Sequence, residues 1–247
     1  MLNPHLVHGW ASSPERLAIA AAVTVGFAGL ARAVRGVNRS AAPAGGLACF
    51  LLFAGGGPAA FATLAALFLV TWVSTRLGYP RKEALGLAER REGRDVWQVL
   101  ANLAVPALAS VVFSATGNQA WLVATVAALA EAATDTVASE IGQYRGGDAR
   151  LITTWERVPA GTDGGITMSG SIAGMAAGLV VAAAALGGGM ILPGQLWIPV
   201  AAGSAGMLID SFLGATVQRR GWTSNEAVNF FSTLAAAAVA VGISTLS

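Results

Sequence analysis

Acidic side chains interrupt two segments of the chain that are otherwise apolar. Glu131, Asp135 and Glu140 lie in one of these segments, and Asp210 lies in another. A carboxylate inside a membrane-spanning segment is costly and usually marks a function. Carboxylate oxygens suit a hard cation, and the chain has only two histidines and one cysteine, so this pattern favours Mg²⁺ over Zn²⁺. Since Mg²⁺ is commonly completed by substrate phosphates, we expect phosphoryl or nucleotidyl transfer.

The spacing of these residues predicts which of them share a helical face. Glu131 and Asp135 are four residues apart, and Ser139 continues their face. Glu140 lies about 140° round the helix from Asp135, so it belongs to a different face. The same interval of four residues recurs at Asp210, Gly214 and Gln218, and at Asn225 and Asn229.

A glycine-rich turn precedes a later apolar segment. Its sequence is Gly161-Thr162-Asp163-Gly164-Gly165. Backbone N–H groups of such a turn, placed before a helix N-terminus, can bind a phosphate. The spacing does not match the P-loop, and by itself the segment is also typical of an ordinary helix cap. Arg81, Lys82 and Arg94 can supply positive charge to the same phosphates.

Composition defines the class of protein that must position these residues. The 247 residues are 55% hydrophobic and only 11% charged, whereas charged residues make up about a quarter of a typical soluble domain. This excludes a water-soluble enzyme, a nucleic-acid-binding module and a disordered protein. Long apolar runs predict an all-α, polytopic bundle of transmembrane helices that forms a single integral-membrane domain, residues 1–247. The predicted spans are 17–34, 42–55, 58–77, 96–114, 120–142, 166–188, 196–217 and 225–246.

The second span is the weakest, so the count is seven or eight. Its fourteen residues rise only about 21 Å as a helix. The sequence Gly55-Gly56-Gly57-Pro58 follows directly, and such a run is typical of a turn. We therefore expect residues 42–77 to form a tight hairpin, which either crosses the membrane or re-enters on the same side.

Basic residues predict the orientation of the bundle. With the N-terminus outside, four basic loops face the cytosol, as the positive-inside rule requires. Both termini then lie outside, in an inner membrane of bacterial type. Most of the unusual polar groups fall in one cytosolic layer, to which the loops 78–95 and 143–165 contribute. The basic residues that the four loops bring to the cytosolic side are Arg32, Arg35, Arg39, Arg76, Arg81, Lys82, Arg90, Arg91, Arg94, Arg145, Arg150, Arg157, Arg219 and Arg220.

Several of these motifs, in this order, resemble one family of membrane proteins. The chain is similar to the family that includes transmembrane protein 19 and the plant phytyl-phosphate kinase of the vitamin E pathway. The resemblance covers roughly residues 20–245. The family's Gly-Arg-Arg appears here as Gly93-Arg94-Asp95, one arginine short. The matching segments are 94–102, 133–142, 158–170, 206–218 and the pair Asn225 and Asn229.

The resemblance implies a kinase that converts an isoprenoid monophosphate, such as phytyl phosphate, to the diphosphate. CTP or another nucleoside triphosphate is the implied donor. Joined with the reading of the residues, this gives Asp135, Glu140, Asp163 and Asp210 as Mg²⁺ ligands, and Lys82 and Arg94 as groups that neutralise phosphate charge. Substrate or nucleotide contacts are predicted at Gln98, Asn102, Thr136, Gly161, Thr162, Asp163, Gly164, Gly165, Ser169, Ser211, Gln218, Asn225 and Asn229.

The expected partners are an isoprenoid phosphate, a nucleotide and membrane lipids, with no nucleic acid. The prenyl tail is expected along the small-residue face Gly170–Gly178, and such faces also permit a homodimer. Two alternatives stay open. A cytidylyltransferase would use a similar site and release pyrophosphate, whereas a cation-coupled transporter would place its acids near the middle of the membrane.

Overall fold

The computed structural model describes residues 13–246, so the predicted location of the N-terminal residues 1–12 falls outside the described part of the chain. The predicted all-α class is confirmed, because seven of the described helices are long and apolar enough to cross a membrane. A short helix, α3, lies between the second and third of them. The helices are α1 (Pro14–Ala33), α2 (Ala41–Arg76), α3 (Tyr79–Ala84), α4 (Val96–Thr116), α5 (Gln119–Arg145), α6 (Met168–Gly187), α7 (Trp197–Leu213) and α8 (Asn225–Leu246).

The predicted hairpin is present within α2. Its helical path breaks at Gly57, which has φ 72° and ψ −166°, a conformation that a residue with a side chain rarely adopts. The rings of Phe53 and Phe61 lie 5.5 Å apart, although eight residues of a straight helix rise about 12 Å. The chain therefore folds back at Gly57, and the two arms of α2 lie side by side.

Helix α5 is the centre of the bundle. Every residue from 122 to 134 is buried, and α2, α4, α6, α7 and α8 all pack on it. A Cβ atom at Gly170 or Gly174 would overlap backbone carbonyl oxygens of α5. The small-residue face of α6 is therefore filled by α5. The expectation that a prenyl tail lies along this face is wrong, because the face has no space for one.

The loop between α5 and α6 contains a small antiparallel sheet that the sequence did not predict. Strands β1 (Ala149–Leu151), β2 (Arg157–Val158) and β3 (Gly165–Ile166) are arranged in the order β2-β1-β3. Ala149 pairs with Val158, and Leu151 pairs with Gly165. This pairing fixes both ends of the glycine-rich turn, because β2 enters the turn and β3 leaves it.

The residue that replaces the family's second arginine has a structural role. Asp95 precedes α4, and its carboxylate accepts hydrogen bonds from the backbone N–H groups of Trp97 (2.9 Å) and Gln98 (3.1 Å). The Gln98 side-chain oxygen in turn accepts from the N–H of Asp95 at 2.9 Å. This reciprocal capping box stabilises the start of α4 and fixes the segment that carries Arg94.

Candidate active site

A cavity of about 140 Å³ lies between α5, the glycine-rich turn and the end of α7. Its wall is formed by three aspartates, three serines, three amide side chains and the turn itself. Residues far apart in the sequence thus meet at one place, as expected from the polar layer that the topology predicts. The predicted site residues that line this cavity are Asp135, Gly161, Thr162, Asp163, Gly164, Gly165, Asp210, Ser211, Gln218 and Asn225.

Each aspartate comes from a different element. Asp135 lies just past the middle of α5, Asp163 in the turn and Asp210 near the end of α7. The Ser232 hydroxyl donates a 3.4 Å hydrogen bond to Asp210. Partial burial raises the pKa of Asp163 above its ordinary value, whereas the charge of Arg219 opposes this change. Three acidic groups thus line one small polar space.

The turn is held against α7 by close backbone contact. Gly164 has φ 74°, and a Cβ atom there would overlap the backbone nitrogen and Cβ of Ala215. Conversely, a Cβ at Gly214 would lie 2.9 Å from the Gly164 nitrogen. Residues Gly214–Gln218 form one π-helical turn, a feature that is frequent at functional sites. The π-helical turn shifts the register at the end of α7, and Gly214 and Gln218 both line the cavity.

Hydrogen bonds inside the glycine-rich turn decide which of its N–H groups can bind an anion. The N–H of Gly165 donates to Thr162, and that of Thr162 donates to Pro159. Within residues 13–246, the N–H groups of Gly161, Asp163 and Gly164 have no such partner. The turn therefore offers up to three backbone donors, but the N–H of Gly165 is not among them.

The donor atoms of the small cavity fit Mg²⁺ in chemical type. They are carboxylate, hydroxyl and amide oxygens, which are the ligands of hard cations. Within residues 13–246, no three His, Cys, Asp or Glu side chains are grouped closely enough to hold a metal ion by themselves. Mg²⁺ requires only one or two carboxylates when substrate phosphates complete its shell. The residues are therefore compatible with a metal that binds together with a nucleotide.

Lys82 and Glu140 contact each other, and neither of them lines the small cavity. Lys82 Nζ donates to Glu140 Oε2, and also to the carbonyl oxygens of Ser74 (3.2 Å) and Thr75 (2.8 Å). The Lys82 side chain is fully buried, and that of Glu140 is 12% exposed. All three N–H donors of the ammonium group are thus used. In this arrangement Lys82 and Glu140 fix α3 to α2 and α5, whereas the sequence pattern assigned them to phosphate and metal.

A second and larger cavity, of about 500 Å³, contains three more of the predicted residues. Arg94, Gln98 and Asn102 line it. The Gln98 amide donates to Glu89 at 3.0 Å, and that of Asn102 donates to the Gln98 carbonyl at 2.8 Å. Both amides therefore have partners within the protein. The larger cavity lies between α1, the α2 hairpin and α4.

One hydrogen bond links the two cavities. Arg94, which lines the larger cavity, donates from Nη2 to the Thr136 hydroxyl at 3.1 Å. Thr136 directly follows Asp135, which lines the smaller cavity. Ala132 of α5 faces the larger cavity, about 4.5 Å along the helix from Asp135. The cavities therefore contact neighbouring faces of one helix.

Some predicted residues line neither cavity, and some residues that were not predicted to belong to the site line one. Ser169 and Asn229 line neither cavity. Sequence reasoning did not assign Gln143, Thr167 and Ser171 to the site, although all three line the small cavity. The stripe of Asp135 and Ser139, continued by one more turn, points to Gln143. Arg35 and Arg76 line the larger cavity, whereas the charge pattern of the sequence assigned them only to the topology.

Glu131 lies deeper in the bundle than the other acids and lines neither cavity. Its residue is 1% exposed, and one carboxyl oxygen lies 2.8 Å from the Thr233 hydroxyl. The other oxygen has no hydrogen-bond partner within the described residues. A Cβ at Gly206 would overlap the Glu131 side chain, so α7 covers this carboxyl group closely.

The bundle and its polar layer define the chain as a polytopic helical membrane protein with a candidate site between helix ends and loops. The chain belongs to the family described as integral membrane protein DUF92, whose model matches residues 22–237. The family predicted from the sequence motifs is thereby confirmed.

Three relatives show how far the similarity extends. An uncharacterized membrane protein of Synechocystis is 37% identical over 199 residues, which cover 78% of this chain and 77% of the relative. Protein VTE6, chloroplastic, of Arabidopsis thaliana is 31% identical over 84% of this chain, and the match spans 65% of that protein. An uncharacterized membrane protein of Methanocaldococcus jannaschii is 34% identical over 72% of this chain and 73% of its own length. No solved structure matches the chain.

Proposed function

We propose that the protein transfers the terminal phosphoryl group of a nucleoside triphosphate, CTP in the first instance, to an isoprenoid monophosphate. The observation that carries this proposal is the meeting of Asp135, Asp163 and Asp210 with the glycine-rich turn in one small polar cavity. Similarity to the plant phytyl-phosphate kinase family supports the choice of acceptor. The reaction takes place at the cytosolic face of the membrane, where the positive-inside rule positions this layer.

The small cavity is the donor side of the reaction in this proposal. Asp135 and Asp210, with Asp163 from the turn, would hold Mg²⁺ together with the triphosphate. When bound, the metal neutralises charge on the donor phosphates. The free N–H groups of Gly161, Asp163 and Gly164 bind phosphate oxygens. Ser211, Gln218 and Asn225 line the same cavity and provide polar contacts for the nucleotide.

The chemical step needs no strong general base. A non-bridging oxygen of the acceptor monophosphate attacks the terminal phosphorus of the donor, and a new P–O bond forms. The bond between that phosphorus and the oxygen that bridges it to the preceding phosphate breaks, so the nucleoside diphosphate leaves with the electron pair. Because the acceptor oxygen is already ionised, positioning and charge neutralisation dominate catalysis. Arg94 supplies positive charge between the two reactants.

The deep carboxyl group of Glu131 favours a second candidate function, cation- or proton-coupled transport. Glu131 is buried among α5, α7 and α8 and retains an oxygen without a partner in the described residues, as an ion-coupling acid would. The other acids argue against transport, because Asp135, Asp163 and Asp210 line one cavity together with a loop. A transporter would need them near the middle of the membrane with access to both sides.

Labelled CTP tests the proposed reaction and separates it from its rivals. Purified protein is incubated with Mg²⁺, a panel of prenyl monophosphates, and CTP labelled in either the α- or the γ-phosphate. The proposal predicts γ-label in a prenyl diphosphate and α-label in CDP. Transfer of α-label to the lipid with release of pyrophosphate would show a cytidylyltransferase. Absence of any transfer by folded protein would remove the enzyme assignment and favour transport.

A further inference from the structure

The cavity of about 500 Å³ has an apolar interior and a basic rim. Its volume falls within the range of roughly 300–1,000 Å³ that is usual for small-molecule pockets. Gly45 and Gly46 of the first arm of the α2 hairpin border its apolar part, whose larger side chains come from α1, the second arm and α4. These side chains are those of Phe27, Leu64, Leu67, Phe68, Val99 and Leu103.

The charges on the rim of this cavity are not balanced. Five arginines line it, against the two carboxylates of Glu83 and Glu89. Two of the arginines have acidic partners: Arg91 pairs with Glu83 at 2.7 Å, and Arg90 pairs with Asp95 at 3.4 Å. The other three, Arg35, Arg76 and Arg94, take part in none of the salt bridges found within residues 13–246.

Two of these three guanidinium groups are held close to each other by the fold. Arg35 and Arg76 are near enough to interact electrostatically, which between like charges is a repulsion. Arg76 donates to the Val34 carbonyl and stacks on the Trp72 ring at 4.1 Å. Packing thus holds positive charges close together, and a bound anion would reduce the repulsion between them.

Close backbone contacts set the position of Arg94 relative to Arg35. The N–H of Arg94 donates to the Gly36 carbonyl at 3.1 Å, and the Arg94 carbonyl accepts from Asn38 at 2.9 Å. Gly93 has φ 92°, and a Cβ atom there would lie 2.6 Å from the Arg35 carbonyl oxygen. Glycine at position 93 is therefore required for the two arginine-bearing segments to meet.

We propose that this larger cavity binds the acceptor, an amphiphile with one apolar chain and a terminal phosphate. The phosphate lies among Arg35, Arg76 and Arg94, and the chain lies between α1, α2 and α4. The inference rests on the proposed function, because it names the acceptor side of the same reaction. Since Arg94 also bonds to Thr136, the phosphate is held on the side of the cavity nearest Asp135.

A binding experiment without nucleotide or Mg²⁺ tests the inference independently of catalysis. The full chain in phosphatidylcholine nanodiscs is titrated with radiolabelled geranylgeranyl monophosphate. Arg94→Gln and Arg35→Asn should each raise Kd about tenfold or more, because each removes a charge-assisted contact with the phosphate. Asparagine is chosen at position 35 because Arg35 has φ 56°, which asparagine tolerates better than most residues. Thermal unfolding establishes that both variants are folded.

Two controls separate this site from general electrostatic attraction and from its rivals. Arg157→Gln removes an exposed guanidinium that pairs with Asp148 at 3.3 Å outside the cavity, and it should leave Kd unchanged. Gly46→Leu should weaken the binding of geranylgeranyl monophosphate more than the binding of dimethylallyl monophosphate. Gly46 lines the cavity, and a Cβ there meets nothing closer than 3.7 Å, so a larger side chain at this position takes up space that a long apolar chain would need.

Several results would overturn the inference. One is a wild-type Kd in both arginine variants. Another is an affinity for geranylgeraniol, which lacks the phosphate, equal to that for geranylgeranyl monophosphate. A third is competition by inorganic phosphate as strong as that by geranylgeranyl monophosphate itself. Equal competition by phosphatidic acid would contradict the single-chain ligand. Binding as expected, with no phosphoryl transfer on addition of CTP and Mg²⁺, would instead remove the proposed function and leave the binding site in place.

Discussion

Arg94 donates a 3.1 Å hydrogen bond from its guanidinium group to the hydroxyl of Thr136. This bond joins the loop before α4 to the central helix α5, one residue from Asp135. Because Arg94 lines the larger cavity and Asp135 the smaller one, the pair marks the boundary between an apolar, basic pocket and a polar, acidic one. A phosphate-bearing lipid and a nucleotide would meet at this boundary.

The carboxylates of the small cavity should be essential for transfer. Asp135→Asn and Asp210→Asn should each lower kcat at least about 100-fold, which corresponds to roughly 3 kcal/mol. Each change retains shape but removes a charge that would hold the metal and the triphosphate. Asp148→Asn is the matched control, because Asp148 is an exposed loop carboxylate outside both cavities. Wild-type rates in both cavity variants would remove the metal assignment.

The buried pair of Lys82 and Glu140 should govern stability. Lys82→Met leaves the Glu140 carboxylate without its cationic partner and should lower the free energy of unfolding by about 3–5 kcal/mol. The double variant Lys82→Met/Glu140→Gln should recover most of this loss, because no unpaired charge remains. Arg91→Gln breaks the exposed pair with Glu83 and should cost at most about 1 kcal/mol. Denaturant unfolding in micelles measures all three, and equal losses from Lys82→Met and Arg91→Gln would contradict the burial argument.

The contact between Gly164 and the π-helical turn should be required for activity. Gly164→Ala forces the glycine-rich turn away from Ala215, so transfer should fall about tenfold or more through a poorer positioning of the donor phosphates. Gly221→Ala controls for backbone strain. Gly221 has a matching φ of 72°, but a Cβ there meets nothing within 4 Å. Equal activity of the two variants would show that strain alone, and not the contact, matters.

The raised pKa of Asp163 predicts that this carboxyl group lowers the stability of the free protein at neutral pH. The folded state disfavours the ionised form of Asp163. Between the ordinary pKa and the raised pKa of the folded state, the unfolded chain therefore binds fewer protons than the folded chain, and stability falls as pH rises. Without nucleotide or metal, Asp163→Asn should therefore be more stable than wild type at neutral pH. The difference should vanish at pH values below the ordinary pKa. Thermal unfolding at a series of pH values measures this, and a destabilised variant at neutral pH would reverse the sign.

Much of the fold and part of the site could be predicted because the signals are local. Gly57 breaks α2 where the Gly-Gly-Gly-Pro sequence indicates a turn. The four-residue repeat that begins at Asp210 lines the cavity, and Glu140 faces away from Asp135 as helical geometry requires. Each of these follows from spacing along one segment.

The other features depend on contacts between distant segments. The partner of Lys82 lies 58 residues away, and no pattern around Lys82 identifies it. Arg35 and Arg76 carry the charge pattern of cytosolic loops, which hides their position on the rim of the larger cavity. Strands of two or three residues, as in the sheet β1–β3, are too short to show a period of two.

The most direct test of the central claim is the mass of the lipid product. Wild-type protein is incubated with geranylgeranyl monophosphate, CTP and Mg²⁺, and Asp135→Asn is run in parallel. We expect the wild type to yield a lipid heavier by one phosphate group, together with CDP, and the variant to yield neither. A lipid that carries the cytidine group, or an unchanged lipid in the presence of folded wild-type protein, would contradict phosphoryl transfer to an isoprenoid monophosphate.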